Sequence, residues 1–100
     1  MKSVCVLLST YNGEKYLSEQ LESLSRQEKV NLSVFIRDDG SSDNTINIIK
    51  DYIEKDSRFS YYIGENVGPS KSFIDLIKKS DKYDFYAFCD QDDVWDADKL

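Results

Sequence analysis

The sequence predicts an α/β fold, in which a parallel sheet with flanking helices is built in the order β-α-β-α-β-α-β. Short apolar runs alternate along the chain with segments whose apolar residues recur at helical spacing. Strand–helix–strand units of this kind connect parallel strands through right-handed crossovers. The chain is 100 residues long and has neither a fixed-period repeat nor a low-complexity linker. It is therefore expected to form one domain over residues 1–100.

The predicted strands are short runs of apolar or alternating residues. The first run is continuously apolar, as expected of a strand that is buried on both faces of a sheet. The second run alternates and is rich in β-branched residues, which favour strands. The predicted strands are residues 4–8, 32–37, 59–63 and 85–89.

The predicted helices follow from apolar residues three or four positions apart. Pro69 suits the first turn of the third helix, which is expected to run to about residue 79. The inward-facing residues are expected to be Leu17, Leu21 and Leu24 in a helix over 15–27, Ile46, Ile49 and Ile53 in the second helix, and Phe73, Ile74 and Ile77 in the third.

Composition narrows the classes of function. Nineteen acidic residues against thirteen basic ones give a net charge of −6, which disfavours nucleic acid as a direct partner. The chain has no histidine, so histidine-based acid–base catalysis and most zinc sites are excluded. An anionic ligand would need a divalent cation between itself and the aspartates.

Other sequence features bear on location and on the thiols. No apolar run approaches the roughly 20 residues that span a bilayer, and the first residues do not resemble a signal peptide, so a cytoplasmic location is expected. Cys5 and Cys89 are predicted to be buried thiols because both lie in apolar runs. With level strand ends they would lie on the order of 13 Å apart, too far for a disulfide.

The loops that follow the strands carry the candidate functional residues. In parallel sheets, ligands bind beyond the carboxyl ends of the strands. Small, acidic and hydroxyl residues are concentrated there. These loops are residues 9–13, 37–40, 64–68 and 90–93.

Two carboxylates, Asp90 and Asp92, follow the fourth strand with one residue between them. In a bent loop both can point at one cation, and oxygen ligands suit Mg²⁺ or Mn²⁺ bound to a diphosphate. The alternative is a solvated acidic turn, and the remaining aspartates of this segment are interpreted as solvated or helix-capping.

The Asp38-Asp39-Gly40 turn follows the second strand. A helix cap from Ser42 or Asp43 explains part of this turn, but two adjacent acids exceed what capping needs. A carboxylate at a strand end can accept a hydrogen bond from the imide N–H of uracil or thymine. Tyr11 can lie against such a base, although simple packing is an equal alternative.

Three segments resemble the N-terminal half of a family 2 glycosyltransferase, a nucleotide-sugar-dependent enzyme with a GT-A fold. They are "LLSTYNGEKYLSEQLESLSRQ", "IRDDGSSDNT" and "FCDQDDVW", in the order and spacing of that family. The resemblance covers nearly all of the chain. It implies a Rossmann-like arrangement that forms the first half of a GT-A fold.

The resemblance also implies a set of site residues. Asp90 and Asp92 would hold Mn²⁺ or Mg²⁺, and the metal would bridge the diphosphate of the donor. Many members have proline at the position of Ser9, and many have an Arg-Asn pair where this chain has Phe73 and Ile74. Lys71 is one candidate to replace that pair. The implied nucleotide-binding residues are Ser9, Thr10, Tyr11, Asp39, Asn66, Gly68 and Asp90.

By this resemblance, the parent enzyme transfers a sugar from a UDP- or dTDP-linked donor to an acceptor hydroxyl, with inversion. Bacterial members build cell-surface polysaccharide or lipid-linked glycans at the cytoplasmic face of the membrane. Members are commonly more than twice as long, so this chain is expected to be a fragment, inactive alone, with the general base beyond residue 100. An exposed sheet edge is then expected to favour self-association.

Two rival classes share parts of these motifs. Asp90, Asp92 and Val94 match the motif of a haloacid-dehalogenase-like phosphatase, but in that family the motif follows the first strand. Asp38 and Asp39 suggest a non-enzymatic receiver-like domain, but that class needs an aspartate after the third strand, where this chain has Ile63-Gly64.

Overall fold

The structure is a computed structural model that describes residues 3–27, 31–80 and 85–89. Strands and helices alternate along these residues, as the sequence predicts. The strands are β1 (Ser3–Thr10), β2 (Asn31–Asp38), β3 (Phe59–Ile63) and β4 (Phe85–Cys89). The helices are α1 (Leu17–Ser25), α2 (Thr45–Lys55) and α3 (Pro69–Lys79).

The four strands form one parallel sheet in the order β3-β2-β1-β4, which confirms the predicted α/β class. Thr10 at the end of β1 lies opposite Asp38 at the end of β2, and Asp38 lies opposite Ile63 at the end of β3. Three strands therefore end in one row, and the loops that follow them meet at a single edge of the sheet.

The sheet separates two apolar layers. Alternate residues of β1, such as Val6 and Leu8, pack with α1 and α2 on one face, and Cys5 and Leu7 pack with Leu76 of α3 on the other. This arrangement explains the continuous apolar run, because both faces of β1 are covered. Each fully buried aliphatic side chain of this kind contributes about 1.5–3 kcal/mol to folding.

The predicted inward face of α3 is wrong for Ile74 and Ile77, which are 52% and 51% exposed. Leu76 and Ser72 are buried instead. Four of the residues from 73 to 77 are apolar, so spacing alone does not define the rotation of the helix. Polar contacts from Arg37 of β2 to α3 define it, and they turn the two isoleucines outward.

The two cysteines lie apart in the sheet. Cys5 is buried in β1 and pairs in register with Tyr86, whereas Cys89 pairs with Leu8. The offset is three residues, which is roughly 10 Å along a strand. A bridge between the two is therefore out of reach, as predicted, although the offset is one residue smaller than expected.

Helix length bears on the membrane question. None of the helices in the described ranges is long and apolar enough to cross a bilayer.

Candidate functional site

A cavity of about 360 Å³ opens at the carboxyl edge of the sheet. Ser9, Tyr11 and Asp39 line it from the ends of β1 and β2. The rest of the wall comes from the β3–α3 loop and the start of α3, through Asn66, Gly68, Pro69 and Phe73. The cavity therefore lies where parallel sheets bind their ligands.

Asp38 joins the end of β1 to the turn that follows β2. Its Oδ1 accepts hydrogen bonds from the hydroxyls of Thr10 at 2.9 Å and Ser41 at 2.6 Å. Its Oδ2 accepts the Ser41 backbone N–H at 2.8 Å. The side chain is fully buried, so this carboxylate is committed to the internal structure of the site.

Asp39 is the acid of the pair that faces the cavity, although it is only 3% exposed. Its Oδ1 accepts from Arg37 Nη1 at 2.6 Å and from the Val67 N–H at 3.0 Å, and its Oδ2 accepts the Gly68 N–H at 3.0 Å. A carboxylate offers about four acceptor positions, so about one remains for a ligand.

These hydrogen-bond donors stabilise the ionised form of the Asp39 carboxyl group. Burial acts to raise the pKa of the carboxyl group, but hydrogen bonds from the Val67 amide, the Arg37 guanidinium and the Gly68 amide outweigh it. The pKa is therefore lower than that of an ordinary aspartate. At neutral pH the cavity wall presents an ionised group that can only accept hydrogen bonds.

Arg37 is buried and connects Asp39 to α3. Besides Asp39, its guanidinium donates to Asp75 Oδ2 at 3.2 Å, to Ser72 Oγ at 3.0 Å and to the Glu65 carbonyl at 2.9 Å. Burial acts to lower its pKa, but Asp39 and Asp75 outweigh that effect and raise it. A single side chain thus fixes the position of the Asp39 carboxylate relative to the β3–α3 loop.

The Asn66-Val67-Gly68 turn holds Asp39 from the other side. Asn66 Nδ2 donates to the Asp39 carbonyl at 3.1 Å, in addition to the two backbone N–H groups already described. Gly68 has φ +91°, which glycine adopts without the strain that a β-carbon introduces. The "N-x-G" turn and the "D-D-G" turn are therefore one hydrogen-bonded unit.

The predicted nucleotide-binding residues of β1 divide between the cavity and the interior. Ser9 lines the cavity and hydrogen-bonds Ser72 through the two hydroxyls at 2.5 Å. Tyr11 lines the cavity and is 47% exposed. Thr10 is buried against Asp38, and its side chain is not part of the cavity wall.

The predicted metal ligands Asp90 and Asp92 lie outside the described residues. In the part of the chain that the structure describes, no group of three or more side chains is arranged to hold a metal ion. Lys71, the candidate to replace the family's Arg-Asn pair, is exposed on α3 and does not line the cavity.

Sequence reasoning missed part of this site. Arg37 carried a signal, since an arginine at the end of a buried strand needs partners for its charge. Pro69 and Phe73 were assigned to a helix terminus and the core, and both line the cavity. Ser72 carried no signal, because its contacts come from two different strands.

The fold and the cavity define the class: a Rossmann-like α/β domain with a ligand site at the carboxyl edge of its sheet. The chain matches the family model "Glycosyl transferase family 2" over residues 5–100. It belongs to that family, and its fold is the GT-A glycosyltransferase fold. The phosphatase and receiver interpretations are set aside.

Two curated relatives and several solved structures illustrate the family. The chain is 42% identical over 103 aligned residues to "dTDP-rhamnosyl transferase RfbG" of Shigella flexneri, covering 93% of this chain and 34% of that protein. It is 33% identical to "Poly(ribitol-phosphate) beta-N-acetylglucosaminyltransferase TarS" of Staphylococcus aureus, covering 100% of this chain and 18% of that protein. The chain thus spans about a third of the first relative and less of the second.

The structural likeness is equally extensive. A crystal structure of S. aureus TarS residues 1–349 in complex with UDP-GlcNAc superposes with a TM-score of 0.85 at 33% identity, covering 97% of this chain and 28% of that chain. The mannosyltransferase PcManGT from Pyrobaculum calidifontis superposes with a TM-score of 0.83 at 21% identity, covering 92% of this chain and 28% of that chain, which indicates the shared fold alone.

Proposed function

We propose that this chain forms the donor-nucleotide half of a glycosyltransferase that uses a UDP- or dTDP-linked sugar. The observation that carries this proposal is the ionised Asp39 carboxylate in the wall of a cavity at the carboxyl edge of the sheet. The spare acceptor position of Asp39 suits the imide N–H of uracil or thymine. The relatives support this choice, since one is named for dTDP-rhamnose transfer and another was solved with UDP-GlcNAc.

Tyr11 completes the proposed base site. It lies in the same cavity as Asp39 and exposes about half of its surface. An aromatic ring offers its face for stacking against a planar base. In this arrangement Asp39 binds the edge of the base, while Tyr11 covers one of its faces.

The metal site is proposed from the sequence. Asp90 and Asp92 would hold Mn²⁺ or Mg²⁺, whose preferred ligands are oxygens. Asp38 and Asp39 are already engaged in hydrogen bonds, so they are not competing ligands. A bound divalent cation would act as a Lewis acid on the departing diphosphate.

The remaining steps belong to the parent enzyme. We propose transfer to the hydroxyl of a glycan or lipid-linked acceptor, with inversion, in cell-surface polysaccharide synthesis at the cytoplasmic face of the membrane. The general base would lie beyond residue 100. Self-association through the sheet edge is also proposed, since β3 is a terminal strand of the sheet.

The first experiment is isothermal titration of the full-length protein with UDP and with dTDP, each with and without Mn²⁺. Asp92→Ala is expected to abolish the metal-dependent part of binding. Asp39→Asn is expected to weaken binding about 10- to 100-fold, because it removes a hydrogen bond to a charged acceptor. Asp56→Asn is the matched control, since Asp56 also pairs with an arginine, Arg58 at 2.6 Å, but before β3 rather than at the site.

The outcomes separate the parts of the proposal. Loss of affinity in Asp39→Asn with unchanged affinity in Asp56→Asn supports the base site. Equal affinities in the wild type and Asp39→Asn contradict the role of Asp39. If the nucleotide affinity changes neither on addition of Mn²⁺ nor in Asp92→Ala, the metal site is contradicted, but the base site is not.

A further inference from the structure

A network of polar side chains lies on the face of the sheet that α3 covers. At its centre is Asp75 of α3, whose Oδ2 accepts hydrogen bonds from three other side chains. The donors are Arg37 Nε at 3.2 Å, the Tyr62 hydroxyl at 2.5 Å and Lys79 Nζ at 2.9 Å. None of these four is among the described residues that line the cavity. We call the four side chains the Asp75 network.

The chemistry of the groups defines the direction of each bond in the Asp75 network. The Tyr62 hydroxyl and Lys79 lower the pKa of Asp75 to about 2, so the carboxylate is ionised at neutral pH and can only accept. Guanidinium and ammonium groups only donate. Burial and the bond to Asp75 raise the pKa of Tyr62, so the phenol keeps its proton and donates it.

The three donors do not contribute equally. Lys79 is exposed and lies four residues after Asp75 on the same helix, and such surface ion pairs contribute little. Tyr62 is fixed by packing, since its ring lies 5.4 Å from that of Phe35. Arg37 is buried, so its charge depends on its partners. Tyr62 therefore holds Asp75 in place, and Asp75 holds the guanidinium.

Arg37 connects the Asp75 network to the cavity wall. Its Nε donates to Asp75, and its Nη1 lies 2.6 Å from Asp39 Oδ1. A guanidinium is planar and rigid, so the contact at Nε also fixes the direction of Nη1. In the described part of the chain, these two carboxylates are the ones that pair with Arg37. The remaining partners, Ser72 Oγ and the Glu65 carbonyl, are uncharged.

We propose that Asp75 is a positioning residue for the nucleotide site: together with Tyr62 it orients Arg37, and Arg37 in turn fixes the Asp39 carboxylate. Asp75 touches no ligand itself. This inference rests on the proposed function and deepens it, because it extends the residues on which nucleotide binding depends to the middle of α3 and to the edge strand β3.

The test is titration of the full-length protein with UDP in the presence of Mn²⁺. Asp75→Ala is expected to weaken UDP binding about 2- to 10-fold, the range of one hydrogen bond. Tyr62→Phe keeps the ring and its packing, and it should cause a smaller loss of affinity. Asp56→Ala is the matched control, because Asp56 also pairs with an arginine, Arg58, but away from the site. It should leave UDP affinity unchanged.

Asp75 acts through Asp39, so its effect on binding should depend on Asp39. In an Asp39→Asn background, Asp75→Ala is expected to cause no further loss of UDP affinity. A merely structural role for Asp75 would instead weaken binding by the same factor in both backgrounds. Urea denaturation of each variant establishes that it is folded under the conditions of the titration.

Three results would overturn the proposal, and they are distinguishable. Unchanged UDP affinity in both Asp75→Ala and Tyr62→Phe contradicts the positioning by Asp75, while the proposed function stands. Equal losses from Asp75→Ala in the wild type and in Asp39→Asn contradict its action through Asp39. Failure of the wild-type protein to bind either UDP or dTDP contradicts the proposed function itself, and this inference with it.

Discussion

At the scale of single residues, the site depends on a buried arginine whose donors are almost all satisfied. Removing an arginine from water carries a large desolvation cost, which its partners must offset. Arg37 meets Asp39, Asp75, Ser72 and the Glu65 carbonyl, and this set joins β2 to both the β3–α3 loop and α3. The Arg37 guanidinium also lies close to Gly64, which has no β-carbon to collide with it.

Gly64→Ala is expected to destabilise the protein, because a β-carbon at this position would lie 2.1 Å from Arg37 Nη2. The guanidinium is held by four hydrogen bonds and cannot move without breaking some of them. We expect a loss of about 1–3 kcal/mol in the free energy of unfolding, measured by urea denaturation.

The control for this prediction is the same substitution in an Arg37→Met background. The methionine lacks the guanidinium, so the added methyl group should be tolerated at a much smaller cost. An equal cost in both backgrounds would show that the clash with Arg37 is not the cause.

At the scale of elements, the start of α2 is stabilised from the preceding loop. Asp43 Oδ1 accepts the Thr45 backbone N–H at 2.9 Å and the Thr45 hydroxyl at 2.5 Å, while Oδ2 accepts the Glu14 N–H at 3.3 Å. The N-cap of α2 is Asn44, whose side chain makes no capping hydrogen bond, so the predicted cap from Ser42 or Asp43 is wrong. Asp43 lies one residue earlier and instead holds the first residue of the helix. These contacts also join the β1–α1 loop to the β2–α2 loop, beside the cavity.

Asp43→Ala is expected to lower the free energy of unfolding by about 0.5–1.5 kcal/mol, the range of a typical hydrogen bond, because it removes the acceptor for the Thr45 amide and hydroxyl at the start of α2. Burial acts to raise the pKa of Asp43, but the Thr45 hydroxyl and amide and the Glu14 amide outweigh it and lower the pKa. The stabilisation is therefore present above the ordinary aspartate pKa of about 3.9 and is lost as the pH falls below it.

Urea denaturation at neutral and acidic pH measures this effect. Asp51→Ala, an exposed substitution within α2, is the control and should leave stability nearly unchanged. If the difference in stability between wild type and Asp43→Ala persists unchanged in acid, the stabilising group is not the ionised carboxylate of Asp43.

At the scale of the whole molecule, ion pairs and hydrogen bonds define a pH window of stability. The pKa values of Asp39, Asp43, Asp56 and Asp75 are all lowered, that of Asp75 to about 2, chiefly by the Tyr62 hydroxyl and by Lys79. Carboxylates of this kind stabilise the fold above their unfolded pKa. Their contribution is lost as the pH falls from about 4 toward 2.

Ionisation of Tyr52 is expected to reduce the stability of the fold at alkaline pH. Burial and a hydrogen bond to Glu22 raise the pKa of Tyr52 to about 12. The folded state therefore favours the protonated phenol, and this stabilisation is complete below the unfolded value of about 10 and is lost as the pH rises through about 12.

We therefore expect the urea midpoint to be nearly constant between about pH 5 and 9 and to fall on both sides of that range. Tyr52→Phe should remove part of the alkaline decline without affecting the acidic one. A midpoint that rises in acid would contradict the assignment of lowered pKa values to these aspartates.

The sequence by itself determined the alternation of strands and helices, the parallel sheet and the edge at which the functional loops meet. These properties depend on local periodicity and turn residues, which are written in short segments such as residues 4–8 and 38–43. The metal-site prediction at Asp90 and Asp92 comes from the same kind of local pattern and stays a prediction.

Only the tertiary structure decided which side chains meet across those elements. It assigned Asp38 to the interior and Asp39 to the cavity, although the two are adjacent in sequence and chemically identical. It also rotated α3 so that Ser72 faces Arg37 and Ile74 faces outward. Contacts such as Thr10–Asp38 and Arg37–Ser72 join residues 28 and 35 positions apart, so they depend on packing geometry that local pattern does not encode.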